Sequence, residues 1–311
     1  MGGGTALAVG STGEQLGTRT ARYERWTGSR WTVLGGPAIT GKLNAIARVP
    51  GTATAWAVGA EGADAVVVRW DGHAWRRAAL AHAGMLLSVD VAPDGTVQAV
   101  GYEVVGGTAR ALVLRRDAHG WTAESLPAIT GRTVLRGVSA RTSTDAWAVG
   151  SREGPLHLEP LILHRTVTGW HVVAGPTINA ASSLAAVVAT GPGSFTAVGS
   201  TTDGAGEHAL VVDRAGGAWT VATPGAGLGT EVLDAVIRAD GATWAAGTAG
   251  QWGTATGVIL RRTALGSAWT ARAADHGLTP LSGIARVAAG RYLAVGGELD
   301  GLDVRSSVRC G

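Results

Sequence analysis

Short apolar runs recur along the whole chain, and they are separated by polar turns rich in Gly, Asp, Asn and Ser. The runs consist of alanine, β-branched and aromatic residues, a composition typical of β-strands. Several of them end in a glycine, namely Gly10, Gly59, Gly101, Gly150, Gly199, Gly247 and Gly296. These glycines are 49, 42, 49, 49, 48 and 49 residues apart, a regular spacing that indicates a repeat architecture.

Each period contains four predicted strands and no predicted helix. A Leu-x-x-(Ile/Val) group, such as Leu43 to Ile46, comes first, and the glycine-ended strand comes second. A third apolar run, such as Val66 to Val68, leads through a turn to a fourth strand that carries a tryptophan. These tryptophans, which we expect to pack between repeats, are Trp31, Trp75, Trp121, Trp170, Trp219 and Trp269. The pattern predicts an all-β fold, a single β-propeller domain of four-stranded antiparallel blades over residues 1–311.

The number of blades stays open between seven and six. Six first strands, seven glycine-ended strands, seven third strands and six tryptophan strands make 26, which lies between the totals for six and seven complete blades. We favour seven blades closed by the N- and C-terminal strands, because the runs ending at Gly10 and Trp26 have full blade chemistry. In a six-bladed ring, the strand of Trp31 would instead complete the C-terminal blade.

The repeat resembles that of the bacterial Asp-box (sialidase-type) and photosystem assembly-factor propellers. In those repeats a Leu-x-Gly-Val strand precedes an aromatic-Ala-Val-Gly strand and a Gly-x-x-Trp turn, as here in Leu135 to Val138 and Trp147 to Gly150. The Asp-box aspartate is kept at Asp71 and Asp117 only, while other residues occupy the comparable turns at Thr166, Gly216 and Ala264. The resemblance therefore implies the propeller fold, but no catalytic sialidase residue carries over to this sequence.

Charge and composition limit the kinds of partner that the chain is expected to bind. The chain has 26 Lys and Arg residues against 23 Asp and Glu, and Lys42 is its only lysine. Arginines recur on the third strands without a compact basic and aromatic cluster, so we expect no nucleic-acid partner. Arginine-rich, alanine-rich usage indicates a bacterial and specifically an actinobacterial source.

Motifs for membranes, metals and cofactors are missing from the sequence. There is no apolar run of 18 residues and no leader, so we expect a cytoplasmic monomer without membrane contact, or a secreted protein if a leader was removed. The single cysteine, Cys310, cannot form an internal disulfide. Metal-ligand spacings and phosphate loops are also missing, so no metal or cofactor is expected.

Residues that interrupt the repeat follow the glycines, in loops expected at one mouth of the central channel. Carboxylates recur there and predict a negative potential that attracts a cationic ligand, on which the loop indole of Trp252 could stack. We predict catalytic acid–base roles for Glu103, Glu153, His157 and His208, and ligand-binding roles for Tyr102, Asp203, Trp252 and Glu298.

Two classes of function fit these residues. The first is a small-metabolite propeller with one acidic and aromatic pocket, extending to cofactor-independent acid–base condensation, cyclisation or hydrolysis of an amine-bearing or aromatic substrate in secondary metabolism. The second is a non-catalytic scaffold for proteins, or a glycan-binding propeller. The differing loops favour one asymmetric pocket and so the first class, whereas exposed apolar surface would favour the second.

Overall fold

The computed structural model describes residues 5–13, 18–224, 231–250, 256–272, 280–300 and 303–310. These residues form 26 strands and no helix, as the periodic pattern predicts. Seven sheets result, of which five have four strands and the first and last have three. Within the same described ranges, no helix is long and apolar enough to cross a membrane.

The strands of each sheet pair in chain order. The first three sheets contain β1 (Ala6–Gly13), β2 (Arg19–Trp26) and β3 (Trp31–Val33); β4 (Gly41–Arg48), β5 (Ala55–Glu61), β6 (Asp64–Trp70) and β7 (Trp75–Arg77); and β8 (Met85–Val91), β9 (Val97–Val105), β10 (Thr108–Asp117) and β11 (Gly120–Ala123). The fourth and fifth contain β12 (Thr133–Thr142), β13 (Asp145–Glu153), β14 (Leu158–Thr166) and β15 (Gly169–Val172); and β16 (Ala181–Gly191), β17 (Ser194–Asp203), β18 (Gly206–Ala215) and β19 (Ala218–Ala222). The sixth and seventh contain β20 (Glu231–Ala239), β21 (Ala242–Ala249), β22 (Thr256–Arg262) and β23 (Thr270–Arg272); and β24 (Leu281–Ala288), β25 (Arg291–Asp300) and β26 (Asp303–Cys310).

The chain falls into two compact units. The first unit holds the first three sheets with β12 and β15, and the second holds the fifth and sixth sheets with β24 and β25. The strands β13 and β14 are divided between the units after Ala148 and after Ile162. Within each unit, the core is a series of apolar layers between consecutive sheets. Because side chains alternate across a strand, β5 sends Trp56 and Val58 into one layer and Ala55 and Ala57 into the other.

A β-bulge in the first strand of a sheet explains the repeated glycine, which lies within the second strand and not at its end. In β8 the pairing with β9 skips one residue between Leu86 and Ser88, so Leu87 is the extra residue. The Met85 carbonyl oxygen then approaches Gly101 so closely that an added Cβ would lie 1.9 Å from it. The corresponding distance is 1.8 to 2.0 Å at Gly59, Gly199, Gly247 and Gly296. Only glycine tolerates such an approach, which accounts for the sequence period.

Aromatic side chains fill some of the layers between sheets. The residue three positions before the glycine is Trp56 in β5, and its ring meets Trp121 edge-on with 5.6 Å between ring centroids. The Arg116 guanidinium lies 4.8 Å from the centroid of the Trp56 ring. Trp244 occupies the same position in β21 and packs 4.3 Å from Tyr292 of the last sheet. These layers are held by stacking and cation–π contacts.

An ionic network fills the layer between the third and fourth sheets, where the residue three positions before the glycine is Gln98. The Glu124 carboxylate accepts hydrogen bonds from Arg165 at 2.8 Å and from the Trp170 indole nitrogen at 2.7 Å. The Gln98 amide donates to the same carboxylate at 3.4 Å. Burial raises the pKa of Glu124, but these hydrogen bonds outweigh it and hold the pKa below its ordinary value.

A second ionic network lies in the second unit, where Thr196 of β17 takes the tryptophan position. Nη1 of Arg262, in the sixth sheet, donates to one Asp213 carboxylate oxygen at 2.5 Å, and Nη2 donates to the other. Nη2 also donates to the Thr196 hydroxyl at 2.8 Å. The Thr196 hydroxyl donates to Asp213 at 2.7 Å. Smaller side chains on the second strand thus leave room that a charged network occupies.

The fourth-strand tryptophans pack against the sheets as expected. Trp75 and Trp170 are buried, and the rest of the set described here is partly buried, namely Trp31, Trp121, Trp219 and Trp269. Trp219, for example, meets Phe195 edge-on at 5.9 Å. Their place in the fold is therefore structural.

We expect Asp90 to make the stability of the chain depend on pH. Its carboxylate accepts hydrogen bonds from the backbone N–H groups of Val91 and of Ala140 on β12. Burial outweighs these bonds and raises the pKa of Asp90 from 3.8 to about 6. Because the pKa of Asp90 is higher in the folded state, the free energy of unfolding falls as pH rises from 3.8 to about 6. Above that pH, Asp90 no longer makes stability depend on pH.

Asp90→Asn removes the ionisation and tests this expectation. The free energy of unfolding in urea, measured for the variant relative to wild type, should rise by about 2 to 3 kcal/mol across that pH interval and then level off. A difference that does not change with pH would show that Asp90 titrates normally.

Candidate functional site

Tyr102 and Glu103 lie within β9, not in a loop after Gly101. Tyr102 pairs with Met85, the first residue of β8, and its hydroxyl donates to the Met85 sulfur at 3.7 Å. Glu103 is paired with Arg110 across the β9–β10 hairpin. The end of the second strand therefore lies beside the start of the first strand, and both side chains are partly buried.

Glu153 and His157 flank the hairpin between β13 and β14. The turn is closed by the Gly154 N–H, which donates to the His157 carbonyl at 3.0 Å. Glu153 is exposed as the last residue of β13, and a His157 ring nitrogen is 3.0 Å from the Leu158 carbonyl oxygen. This imidazole already has a backbone partner within its own turn.

Asp203 and His208 are in contact across the hairpin between β17 and β18. A His208 ring nitrogen is 3.2 Å from the Asp203 carboxylate, which also accepts the Ala205 N–H at 2.8 Å. The Ala205 N–H is the main reason that the pKa of Asp203 lies below its ordinary value, and His208 adds to the effect. The pair is a carboxylate–imidazole dyad at the surface.

The remaining predicted residues are described less fully. Trp252 lies outside the described residues, and Glu298 lies on β25 in its last four residues, of which only the backbone is described. The prediction of loops directly after the glycines is wrong for Tyr102, Glu103, Glu153, Asp203 and His208, all of which lie in strands. The reason is that the hairpin ladder continues for several residues past the glycine.

Apolar hairpin tips are a feature that the sequence reasoning missed. Val104 and Val105 end β9 with 63% and 55% of their surface exposed, and Leu156, between β13 and β14, is 93% exposed. Gly106 and Gly107 form the two-residue turn after Val105, both with positive φ, the conformation of a type I′ hairpin. The sequence signal for this tip is the apolar pair Val104 and Val105 directly before Gly106 and Gly107.

An open groove of about 700 Å³ lies in the first unit, between the segment 79–82 and the outer strands of the third sheet. Most of its lining is apolar, and it consists of Ala79, Leu80, Ala81, His82, Leu114, Trp121, Thr122 and Ala123. His82 is its only titratable residue, and a ring nitrogen of His82 is 2.7 Å from the Ala83 carbonyl oxygen. Such a lining suits an apolar side chain and lacks a pair of groups for acid–base chemistry.

Among the described residues, no group of three or more His, Cys, Asp or Glu side chains is placed to hold a metal ion. The acidic and imidazole side chains described above lie in three separate hairpins. The described contacts of His157 and His208 are made inside their own hairpins.

Comparisons with known proteins support the fold. No family model matches the chain, and no curated protein matches it. A structure of YCF48 bound to D1 peptide superimposes with a TM-score of 0.58 and 16% identity, over 90% of this chain and 85% of that one. A structure of YjhT superimposes with a TM-score of 0.58 and 12% identity, over 86% of this chain and 97% of that one. The chain is therefore a β-propeller similar in fold to YCF48 and YjhT.

Proposed function

We propose that this chain is a non-catalytic propeller that binds a protein or peptide through the tips of its hairpins between second and third strands. The observation that carries the proposal is the exposure of Val104, Val105 and Leu156 at such tips. Val104 and Val105 are held on paired strands, so they lose little conformational freedom on binding, which favours their use as contacts. Exposed apolar surface is also a common mark of interaction sites.

The surroundings of these tips fit a protein partner. Glu103 and Arg110 lie opposite each other below the Val104 and Val105 tip, and Arg152 and Glu159 form an ion pair at 2.8 Å below Leu156. An apolar centre with charged residues at its rim is the usual composition of a protein interface. One structural relative, YCF48, was solved with a peptide bound, so a propeller of this kind is able to bind a peptide.

A second candidate is the small-metabolite function suggested by the sequence, and the Asp203–His208 dyad favours it. In that function His208 would exchange a proton with a bound cationic or aromatic ligand, while Asp203 orients the imidazole ring. Native mass spectrometry of the chain with a metabolite mixture tests this candidate. A bound species that is lost in His208→Gln would support it over the scaffold.

We also propose that the two three-stranded sheets are separate blades, which makes seven. The first sheet contains the second strand β1 with Gly10, and the last sheet contains the bulged first strand β24 paired with the second strand β25, which carries Gly296. Each sheet therefore has its own second strand, which carries the repeated glycine.

Peptides selected from a display library against the intact chain test the scaffold function. Val104→Asp should weaken binding of peptides that contact the β9–β10 tip about tenfold or more, because a charge replaces an apolar contact. Leu156→Asp should have the same effect on peptides that contact the β13–β14 tip. Affinity is measured by calorimetry or interferometry.

Val167→Asp is the matched control, because Val167 is 83% exposed but lies at the turn between β14 and β15. It should leave the affinity unchanged. Peptides that bind all three variants as tightly as wild type would contradict the proposed surface.

A further inference from the structure

The tips of two hairpins in the first unit are joined by the segment that leads into β8. Asp64, the first residue of β6, bridges Ala83 in antiparallel fashion, and the Gly84 N–H donates to the Ala63 carbonyl at 2.7 Å. Gly84 also lies against β9, where an added Cβ would be 3.5 Å from the Glu103 Cα. The β5–β6 tip and the β9–β10 tip therefore lie side by side within one compact unit.

Exposed apolar side chains lie on both tips and on the segment between them. Val104 and Val105 are more than half exposed on the β9–β10 tip, and Ala63 and Ala83 are exposed beside Gly84. Small alanines next to larger valines make a shallow apolar surface that the side chains of a partner can cover. This surface and its two acids are called the tip patch, which consists of Ala63, Asp64, Ala83, Glu103, Val104 and Val105.

Both acids of the tip patch are left without an ion pair. Arg110 lies opposite Glu103 across the hairpin, but its guanidinium donates to two carbonyl oxygens of the segment 129–131, at 3.2 and 2.7 Å. Asp64 is exposed on the other tip. In the part of the chain that the structure describes, neither Asp64 nor Glu103 takes part in an ion pair. Both carboxylates can therefore meet a cation of a partner.

The tip patch is acidic in a chain that is basic overall, since the formal net charge of the chain is +3. The residue opposite Asp64 is a further acid, Glu61, which is held by the Thr40 N–H and by Arg77, each at 2.7 Å. A cationic side chain brought to the tip patch would meet carboxylates, whereas an acidic one would be repelled. The charge of the tip patch therefore favours a basic partner.

We propose that the tip patch binds a segment of a protein partner in which a lysine or arginine lies next to apolar side chains. This inference rests on the proposed function, because it names the class of partner for one of the hairpin tips described there. Val104 and Val105 contact the apolar side chains of the segment, and Asp64 and Glu103 contact its cation at the rim. Charge pairs at a rim mainly select the partner and speed its encounter.

The sequences of peptides selected from a display library against the intact chain test this inference. Peptides that contact the tip patch are those weakened by Val104→Asn, which removes the apolar contact and leaves the charge of the tip unchanged. They should be enriched in lysine and arginine relative to the unselected library. No enrichment, or enrichment in acidic residues, would overturn the inference and leave the scaffold function in place. If Val104→Asn weakens none of the selected peptides, the proposed function fails at this tip and the inference fails with it.

Charge variants test the two acids directly. Asp64→Asn and Glu103→Gln should each weaken binding of a selected cationic peptide about threefold at low salt, mainly through slower association. The difference should disappear in about 1 M salt, where the Debye length is about 3 Å.

Asp117→Asn is the matched control, because it removes one carboxylate charge at the other end of β10. The asparagine side chain can still accept the His119 N–H that Asp117 accepts. This variant should leave the affinity unchanged. Equal affinities of wild type, Asp64→Asn and Glu103→Gln would overturn the inference, and so would an equally large effect of Asp117→Asn.

Discussion

Gly101→Ala is expected to destabilise the chain by more than about 4 kcal/mol, or to prevent its folding. The new methyl carbon would lie 1.9 Å from the Met85 carbonyl oxygen and 2.9 Å from the Leu86 Cα. Both are backbone atoms of a paired strand, so no side-chain rotation relieves the overlap. To accommodate alanine, β8 and β9 would have to separate and lose the hydrogen bonds around the bulge. Urea unfolding followed by circular dichroism measures the effect.

Gly10→Ala is the matched control within the same repeat. Gly10 holds the equivalent position in β1, but among the described strands no first strand pairs with β1 on that side, and no described atom lies within 4 Å of an added Cβ. The change in the free energy of unfolding should stay within about 1 kcal/mol. Equal effects at Gly10 and Gly101 would show that the close approach of the bulge is not what selects glycine.

Asp213→Ala is expected to destabilise the second unit by about 3 to 5 kcal/mol. The Arg262 side chain is only 1% exposed, and its Nη1 and Nη2 groups both donate to Asp213. Removal of the carboxylate leaves a buried positive charge with the Thr196 hydroxyl and the face of Trp269 as its remaining described partners. A buried unpaired charge is far more costly than the loss of one hydrogen bond.

The double variant Asp213→Leu with Arg262→Met separates charge from packing. It removes both charges and keeps apolar volume, so it should recover most of the stability lost in Asp213→Ala. Arg76→Ala, at an ion pair whose arginine side chain is 73% exposed, should cost less than about 1 kcal/mol. If the double variant were as unstable as the single one, the loss would lie in packing rather than in the unpaired charge.

The strands could be predicted because one local contact is repeated. Where a bulged first strand pairs with the second strand, it closely approaches the glycine of that strand, so the motif at Gly59 recurs at Gly101 and Gly199 with the same geometry. The ionic networks within the layers between sheets were not predicted, because their partners lie about one period apart, as Glu124 and Arg165 do at a separation of 41 residues. A signal was present in the alternation of large and small residues three positions before the glycine, at Trp56, Gln98, Trp147, Thr196 and Trp244.

The candidate site residues were predicted less well than the fold. Tyr102 and Glu103 were read as loop residues, because the length of a hairpin beyond its glycine depends on turn geometry that composition does not specify. The Gly106 and Gly107 turn extends this hairpin and places Val105 at its tip.

Hydrogen exchange of the intact chain, with and without a selected peptide, tests the central claim that the hairpin tips are the functional surface. Bound peptide should slow amide exchange in residues 102–110 or 153–158 and leave the turn between β14 and β15 unaffected. Protection confined to the groove of residues 79–82 and 121–123, with no change at either hairpin, would contradict it.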